Sequence, residues 1–446
     1  MTLLVISPDY ASHLYPLATL ATAWRDAGER VVVATGTATD ALVTAFGYER
    51  EHLQLGRGSN PGVIRAEEQP AGEDDSLRGF FEATRLGAVE TLAYQARARG
   101  DDLLWNAVGV ARAVHDVVDR VRPDTVVVDH LAFGARLGLV SRGTSHADVV
   151  LGHPSALTVG DEVYGYPPAW PRAFTPGPDA LAELRRLSEQ VRDDFTAQWN
   201  TALAQLSPGA TPSVDAFAET GDVLMLNYPA ELHDHDRTAL LPRHTFLGSS
   251  VRAEASDEQV ETWLGRSDEP VVYVSLGSFL SARSDLLATI VEALRPLDVR
   301  VALAHGSTPR PLLGALPESW LVREMLPQVT LLGHASVAVS HGGNNSVTES
   351  LTAGVPLLLL PLSTDQFAGA AAVEAQRLGE VLDPNRADAA AIRSAAERLM
   401  GPADSVDRAG LHRLGASMRE HPGPLRARDA LTRQTTPAHG SGPATL

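Results

Sequence analysis

The sequence predicts an α/β protein with two Rossmann-like halves. Each half opens with two apolar strands on either side of a helix, which is the pattern of a parallel βαβ unit. These elements lie at residues 2–6, 15–27 and 30–34 in the first half, and at residues 271–278, 286–294 and 299–304 in the second. A third observation is a strand, a polar loop and a helix at residues 337–353, the order in which open α/β sheets place their ligands.

The composition limits the chemistry that the chain can perform. Its 446 residues are enough for two or three domains, and its net charge of -18 argues against a nucleic-acid partner. The sequence contains no Cys, which excludes disulfides and thiolate catalysis, and no Lys, since all 37 basic residues are Arg. A Schiff-base enzyme and a Walker-type phosphate loop both need a Lys, so both are excluded.

The N-terminus, MTLLVISPDY, has neither a basic region nor a small-residue cleavage site. The chain also lacks a run of about 18 apolar residues, so we expect no membrane span. These features predict a soluble, cytoplasmic protein. The all-Arg basic set and the richness in Ala, Gly and Pro fit a GC-rich bacterial gene, and the oligomeric state stays open.

The loop at residues 341–346, HGGNNS, has the character of an anion site. It follows an apolar strand and opens a helix, where free backbone N–H groups favour a diphosphate. The Gly-Gly pair lets the backbone approach closely, and His341, Asn345 and Ser346 supply hydrogen-bond donors without net charge.

Three more polar residues are expected at the same edge of the sheet. We place Glu349 on the first turn of the helix, where its carboxylate can cap backbone N–H groups or accept hydrogen bonds from a ribose. Asp365 and Gln366 come just after the next strand, at residues 356–360, and are suited to sugar hydroxyls. The stretch thus predicts a site for a nucleotide sugar.

Residues 325–366 resemble the nucleotide-sugar signature of the family 1 glycosyltransferases, also called UDP-glycosyltransferases, whose fold is GT-B. The resemblance implies two Rossmann-like domains that face a central cleft. The donor-binding residues that it implies are Ser278, Met325, Gln328, His341, Gly343, Asn344, Asn345, Ser346, Glu349, Asp365 and Gln366.

Within that set, the resemblance assigns the diphosphate to His341, Asn345 and Ser346, with Ser278 as a further donor. It assigns the ribose to Glu349, the donor sugar to Asp365 and Gln366, and the uracil edge to Gln328 with Pro327. Two positions depart from the plant pattern. Met325 stands where a Trp stacks on the base, and Asn344 stands where a second Trp is found.

The domain boundaries follow from the two openings and from the resemblance. We predict an acceptor-binding Rossmann-like domain at residues 1–245 and a nucleotide-sugar-binding one at residues 246–405. Residues 406–433 are expected to form a helical segment that returns to the N-terminal domain, and residues 434–446 a disordered tail. The Gly-, Pro- and acid-rich residues 56–76 are expected to be a long mobile loop.

His13 is the candidate general base. We place it in the loop after the first strand, two residues before the first helix, and the sequence SHLYP resembles the GHxxP opening of the family, in which this His takes the acceptor proton. A His base needs a carboxylate that orients its ring. Asp129, at the end of the strand at residues 125–128, matches the family's second catalytic residue, and Asp9 is the local competitor.

Residues 152–178 are dense in Pro and aromatic side chains. They predict either an irregular wall of the acceptor site or a loop that packs on itself. The acceptor-binding candidates are Tyr164, Tyr166, Trp170, Phe174 and His153, and His130 is a further polar group without an assigned task. The run HDHD at residues 233–236 suggests a metal only weakly, and no metal site is predicted.

The expected activity is inverting, metal-independent transfer of a hexose to a hydroxyl of a small apolar acceptor. UDP-glucose is the expected co-substrate, no cofactor is expected, and O-transfer is the default. The absence of Lys favours the inverting class, because retaining GT-B transferases commonly place a Lys on the diphosphate. Two alternatives are kept: a UDP-N-acetylglucosamine epimerase of the same fold, and a non-catalytic nucleotide-sugar-binding protein.

Overall fold

The computed structural model describes residues 1–63, 73–98, 103–402 and 406–435. The described residues contain two sheets in which every strand pair is parallel. The first sheet consists of β1 (Thr2–Ile6), β2 (Arg30–Thr35), β3 (Glu49–His52), β4 (Thr125–Asp129), β5 (Ala147–Val150), β6 (Val223–Leu226) and β7 (His244–Phe246). The second consists of β8 (Val271–Ser275), β9 (Arg300–Ala304), β10 (Leu321–Arg323), β11 (Ala335–Ser340), β12 (Leu357–Leu359) and β13 (Gly379–Val381).

Helices connect the strands, as parallel pairing requires. In the first half they are α1 (Ala11–Arg25), α2 (Asp40–Ala45), α3 (Glu73–Leu86), α4 (Ala88–Ala98), α5 (Ala107–Val121), α6 (Phe133–Arg142), α7 (Pro178–Leu206) and α8 (His235–Leu240). In the second half they are α9 (Glu258–Leu264), α10 (Gly277–Leu280), α11 (Ser284–Leu294), α12 (Gln328–Leu332), α13 (Asn344–Ala353), α14 (Gln366–Ala375), α15 (Ala389–Met400), α16 (Arg408–Glu420) and α17 (Gly423–Thr435).

The strand order is the same in both sheets over six strands. It runs β3-β2-β1-β4-β5-β6-β7 in the first sheet and β10-β9-β8-β11-β12-β13 in the second. The order therefore reverses between β1 and β4, and again between β8 and β11. In doubly wound sheets the ligand crevice lies outside the carboxyl ends of the strands at such a reversal. The prediction of two Rossmann-like halves is confirmed.

The central strands are largely apolar, as expected where helices cover both faces of a parallel sheet, whereas the edge strand β3 is EREH. Val126, Val127 and Val128 of β4 and the three leucines of β12 are all buried. The last helix, α17, packs on the first half: Ala427 and Leu431 belong to the same apolar cluster as Trp24 of α1. Arg428 of α17 also donates to Glu29 at 2.8 Å.

Two predicted boundaries were wrong in ways that matter for the site. The helix α1 begins at Ala11 rather than at residue 15, so His13 lies in its first turn and Pro16 lies inside it. The helix begins a full turn earlier than predicted, and Pro16 then falls past the first turn, where its missing N–H costs one hydrogen bond within the helix. Likewise α13 begins at Asn344, which places Glu349 in the second turn.

The predicted loop at residues 56–76 falls partly outside the described residues, which omit 64–72. Residues 73–76, which we expected to belong to that loop, are the start of α3. The predicted C-terminal tail lies outside the described residues from residue 436 onward. Within the described ranges, no helix is both long enough and apolar enough to cross a membrane.

Candidate active site

His13 and Asp129 meet across the strand-order reversal of the first sheet. The Nδ1 atom of His13, in the first turn of α1, lies 2.6 Å from Oδ2 of Asp129 at the end of β4. The other carboxylate oxygen accepts the backbone N–H of Leu131 at 2.8 Å, which fixes the carboxylate plane. An ionised carboxylate only accepts hydrogen bonds, so Nδ1 carries the proton and Nε2 is left with its lone pair.

The competing carboxylate, Asp9, is used elsewhere. One of its oxygens accepts the backbone N–H of Ala38, and the other accepts both the backbone N–H and the hydroxyl of Thr39, all within 3.0 Å. Asp9 therefore ties the start of α1 to the loop after β2. The structure brings Asp129, and not Asp9, onto the His13 ring.

The environment of His13 favours its protonated form. Burial acts to lower the pKa of this imidazole, but the charge and hydrogen bond of Asp129, with a smaller effect of Asp365, outweigh it. The pKa of His13 is therefore raised above its ordinary value of 6.5. The side chain keeps 29% of its surface exposed, while Asp129 keeps 1%. A ring that is open on one side and held by a buried carboxylate is suited to proton transfer.

A cavity of about 1340 Å³ lies between the two halves and is lined by both. Ligand sites usually occupy about 300–1,000 Å³, so this one has room for a nucleotide sugar together with a second small molecule. The predicted site residues on its wall are His13, Tyr164, Tyr166, Ser278, Met325, Gln328, His341, Gly343, Asn344, Asn345, Ser346, Asp365 and Gln366.

His341 stands at the carboxyl end of β11, between two glycines. A Cβ atom on Gly277 would lie 2.7 Å from Cε1 of the ring, and one on Gly343 would lie 2.5 Å from Nε2, so both positions need glycine. Burial lowers the pKa of His341 to about 4. The ring is therefore neutral near pH 7, and it can donate one N–H without bringing a charge.

Glu349 does not lie on the cavity wall but just behind it, with 4% of its side chain exposed. One carboxylate oxygen accepts from Arg252 at 2.8 Å, and the other accepts from Nε2 of Gln328 at 2.6 Å. The carbonyl oxygen of Gln328 in turn accepts from the Tyr273 hydroxyl at 3.1 Å. The residues predicted for the ribose and for the base edge thus form one hydrogen-bonded group.

Asp365 and Gln366 both lie at the cavity, but their side chains have different hydrogen-bond partners. Asp365 accepts the backbone N–H of His153 from the opposite half, and its other oxygen accepts the Thr364 hydroxyl at 2.9 Å. The amide oxygen of Gln366 accepts the backbone N–H groups of Leu362 at 3.0 Å and of Ser363 at 3.1 Å. Gln366 therefore shapes the loop after β12 with its own side chain.

Comparison with known proteins agrees with this arrangement. The family model described as UDP-glucoronosyl and UDP-glucosyl transferase matches residues 193–405. NDP-glycosyltransferase YjiC of Bacillus licheniformis is 29% identical over 219 residues, which are 49% of this chain and 55% of that protein. Demethyllactenocin mycarosyltransferase of Streptomyces fradiae is 29% identical over 324 residues, which are 71% of this chain and 65% of that protein. These matches span between about half and two thirds of the relatives' own lengths.

Residues 193–405, just under half of the chain, are therefore similar to the UDP-glycosyltransferase family. Solved structures place its fold: the calicheamicin glycosyltransferase CalG4 matches with a TM-score of 0.65 at 21% identity, covering 97% of each chain. The glycotransferase of kitacinnamycin matches with a TM-score of 0.68 at 21% identity, covering 98% of this chain and 99% of that one. The fold is GT-B, as the resemblance implied.

In this chain the two asparagines of the HGGNNS loop hold the halves together. Both N–H bonds of the Asn344 amide go to carbonyls of the first half, to Leu151 at 2.7 Å and to Asn227 at 2.8 Å. The Asn345 amide donates to the carbonyl of Ser12 at 3.0 Å. Asn344, which we predicted as a donor-binding residue, has thus committed its donors to the interface between the halves.

Pro16 explains why the Ser12 carbonyl can accept from Asn345. In an α-helix this carbonyl would receive the backbone N–H four residues later, which is position 16, and a proline has none. Pro16 is visible in the sequence, but nothing in the sequence indicates that Asn345 would donate to the Ser12 carbonyl. Asn345 reaches it only because the second half places α13 opposite the first turn of α1.

The aromatic acceptor candidates divide into two groups. Tyr166 and Tyr164 reach the cavity wall, although the Tyr164 ring also stacks on Phe217 with centroids 4.0 Å apart. Trp170 and Phe174 do not line the cavity. They pack on Phe367 of α14, with centroids 4.9 and 5.2 Å apart, so the simple packing alternative describes them.

His153, which we predicted to bind the acceptor, and His130, which had no assigned task, are both buried and do not line the cavity. The His153 ring lies edge-on to Tyr228 and bonds to the Ser155 hydroxyl at 2.9 Å, and burial lowers the pKa of His153 to about 3. His130 bonds to Asp148 at 3.1 Å, and Asp148 also pairs with Arg136 at 3.0 Å. Neither is placed to touch an acceptor in the cavity.

The weak metal candidate at residues 233–236 is occupied by protein contacts. His233 bonds to the Thr238 hydroxyl at 2.6 Å and to Arg237 at 2.8 Å, while Asp234 caps α8. In the part of the chain that the structure describes, no three or more His, Asp or Glu side chains are grouped so as to hold a metal ion.

Arg252 is the cavity residue that sequence reasoning missed. It lies in the segment between β7 and α9, which joins the two sheets, and it lines the cavity while it pairs with Glu349. No motif marks it, because a single Arg in a polar linker is an ordinary observation. The carboxylate that it pairs with is 97 residues away in the sequence.

Proposed function

We propose that the chain transfers a hexose from a UDP-sugar, with UDP-glucose the leading donor, to a hydroxyl of a small apolar acceptor. One observation carries the proposal. The His13–Asp129 pair and the HGGNNS loop open into the same cavity from opposite halves. The proposed base and the proposed diphosphate site thereby share one cavity, as a direct displacement between two substrates requires.

In the proposed reaction, His13 acts as general base. Its Nε2 takes the proton of the acceptor hydroxyl while the oxygen forms a bond to the anomeric carbon of the sugar. The bond from that carbon to the diphosphate oxygen breaks on the opposite face, and the nucleoside diphosphate leaves with the electron pair. A single displacement of this kind inverts the anomeric configuration.

The second half is proposed to stabilise the leaving diphosphate. The start of α13 offers free backbone N–H groups, and His341 and Ser346 add neutral donors at the same edge. Donors that are fixed before the reaction need no reorganisation when negative charge develops on the leaving group. We propose that this set acts without a metal ion, and that Asp365 and Gln366 face the donor sugar.

The acceptor is proposed to be an apolar natural product, such as a polyketide, macrolide or phenol. The relatives that support this class include demethyllactenocin mycarosyltransferase and the oleandomycin glycosyltransferase of Streptomyces antibioticus, the latter 27% identical over 233 residues. Tyr166 and Tyr164 supply aromatic surface on the first half's side of the cavity. Aromatic rings of this kind suit an acceptor with a flat or apolar body.

A thymidine diphosphate sugar is the competing donor. One matched structure, spinosyn rhamnosyltransferase SpnG, is a complex with thymidine diphosphate, at 18% identity and a TM-score of 0.62. Glu349 favours a ribonucleotide instead, because a carboxylate is best used when both ribose hydroxyls are present. Hydroxyl recognition by a buried polar group discriminates strongly against an analogue that lacks the hydroxyl.

The test is release of nucleoside diphosphate from UDP-glucose and from dTDP-glucose, with and without a panel of macrolide and phenolic acceptors, in EDTA. We expect release from UDP-glucose that depends on an acceptor and survives EDTA. Release only from dTDP-glucose would overturn the donor assignment. Conversion of UDP-N-acetylglucosamine into an isomeric UDP-sugar without any acceptor would favour the epimerase, and tight UDP binding with neither conversion nor release would favour a binding protein.

A further inference from the structure

Arg252 occupies a position between three elements that the proposed reaction must keep in register. Its NH1 group donates to Glu349 at 2.8 Å, and its NH2 group donates to Glu254 at 2.8 Å. The guanidinium also lies over the ring of Tyr15, 5.3 Å from the centroid, and Tyr15 stands two residues after His13 on α1. One side chain therefore contacts α13, the linker and α1.

These contacts need an arginine rather than any cation. A guanidinium is planar, so it can donate in its plane to two carboxylates while its face rests on an aromatic ring. Glu254 also ties the linker to α12 of the second half. The free oxygen of Glu254 accepts both the backbone N–H of Thr330 at 2.9 Å and its hydroxyl at 3.0 Å, at the start of α12.

The carboxylate that Arg252 holds is one that burial would otherwise neutralise. Burial raises the pKa of Glu349, while the Arg252 charge and the bond from Gln328 oppose that rise and the Glu254 charge adds to it. Tyr273 also faces this group, and burial keeps its hydroxyl neutral by raising its pKa. Arg252 is thus the single cation that acts on Glu349 among the groups named here.

The geometry points to Arg252 as the positioning residue for recognition of the nucleotide ribose, acting through Glu349. This inference rests on the proposed function, in which Glu349 accepts hydrogen bonds from the ribose hydroxyls. Each carboxylate oxygen has two lone pairs, and Arg252 and Gln328 use one on each oxygen. The remaining lone pairs serve a ribose only while the carboxylate stays ionised and keeps its orientation.

The experiment measures the affinity of the full chain for UDP and for 2′-deoxy-UDP by calorimetry between pH 6 and 9. We expect the unaltered chain to prefer UDP by about tenfold, which is roughly the contribution of the one hydrogen bond to a charged group that the 2′-hydroxyl would make. In Arg252→Met this preference should be weaker at the acidic end of the range than at the alkaline end, because the pKa of Glu349 rises further when the Arg252 charge is lost. Arg252→Lys, which keeps the charge but not the planar geometry, should retain only part of the preference.

Two controls separate positioning from a general loss of structure. Glu349→Gln should abolish the preference at every pH, because an amide cannot ionise. Arg186→Met removes an exposed arginine that pairs with Glu183 on α7, and it should behave as the unaltered chain.

Two results would be decisive against the inference. An Arg252→Met chain that keeps the full preference would overturn it, as would one that loses UDP and 2′-deoxy-UDP affinity equally at all pH values. Equal binding of the two nucleotides by the unaltered chain would instead overturn the ribonucleotide donor of the proposed function. Failure of the inference and failure of the function it rests on are therefore distinct.

Discussion

The two halves of the molecule each place a histidine beside the strand-order reversal of a Rossmann-like sheet, and they give it opposite properties. His13 has the buried Asp129 carboxylate at 2.6 Å, and its pKa is raised. His341 lies in a glycine-flanked niche, and burial lowers its pKa to about 4. The same residue type is thus proposed to act as a proton acceptor in one half and as a neutral donor in the other. The groups around each histidine, and not its position in the sheet, determine the direction in which its pKa is shifted.

Removing the imidazole of the first half should have the largest effect. General base catalysis contributes about 10²–10⁴-fold to rate, so His13→Ala should lower kcat by about 10³-fold. UDP affinity should change little, because the loop that is proposed to bind the diphosphate belongs to the other half. Steady-state transfer and calorimetry measure the two quantities, with the exposed His412→Ala as the control. Full activity of His13→Ala would remove the assignment.

Replacing Asp129, the partner of His13, by a neutral residue should bring the pKa of His13 closer to that of His341. Asp129→Asn removes the charge that raises the pKa of His13, so that pKa should fall. The base must be neutral to act, and kcat/KM therefore declines as the pH falls through the pKa of His13. The acidic limb should accordingly move to lower pH in the variant, while the maximal rate drops by about 10²-fold or more because the ring loses its orientation. A limb that stays in place or moves to higher pH would contradict this account.

Removing the imidazole of the second half should affect donor binding instead. A hydrogen bond to a charged group contributes about 1.5–3 kcal/mol, so His341→Ala should weaken UDP binding by roughly 10–100-fold. With its pKa at about 4, His341 does not titrate between pH 6 and 9, and the loss should be the same across that range. Calorimetry at several pH values measures it. A loss confined to the acidic end would show that the charged form of His341 matters.

The smallest predicted effect concerns the contact between Asn345 of α13 and the Ser12 carbonyl of α1. Pro16→Ala restores a backbone N–H that can donate to the Ser12 carbonyl, in competition with Asn345. We expect kcat to fall by roughly two- to fivefold, an effect of about 0.5–1 kcal/mol. Pro178→Ala is the matched control, because Pro178 is the first residue of α7 and its N–H would have no partner within that helix. An identical loss in both variants would count against the competition.

The sequence predicted the parts of the site that periodicity and strand order can reach. The pairing of His13 with Asp129, 116 residues apart, was implied by the family resemblance and agreed with the place of Asp129 at the end of a strand in the same half. The HGGNNS loop could be predicted because a strand, a glycine pair and a helix start follow one another without interruption. Such information is local, or it follows from sheet topology.

Contacts between the two halves could not be predicted from periodicity or strand order. Arg252, Asn344 and Asn345 act on partners in other elements, and the distances between those elements depend on how the two halves pack. The aromatic loop shows the same limit in another form. Trp170 and Tyr166 are close in sequence and similar in chemistry, yet one packs on Phe367 and the other lines the cavity. Composition alone does not distinguish an apolar wall from an apolar core.

The proline in the first helix has a consequence for how distances in the cleft are set. Because Pro16 leaves the Ser12 carbonyl without a donor from its own helix, the first half exposes an acceptor next to its base, and Asn345 fills it from the loop that is proposed to hold the leaving group. A primary amide carries two N–H bonds, so Asn345 can keep this contact and still offer the second to a phosphate. The spacing between proton acceptor and leaving group is then fixed by the length of one short side chain. The distance across the cleft therefore depends on this one contact more than on how the two halves are oriented.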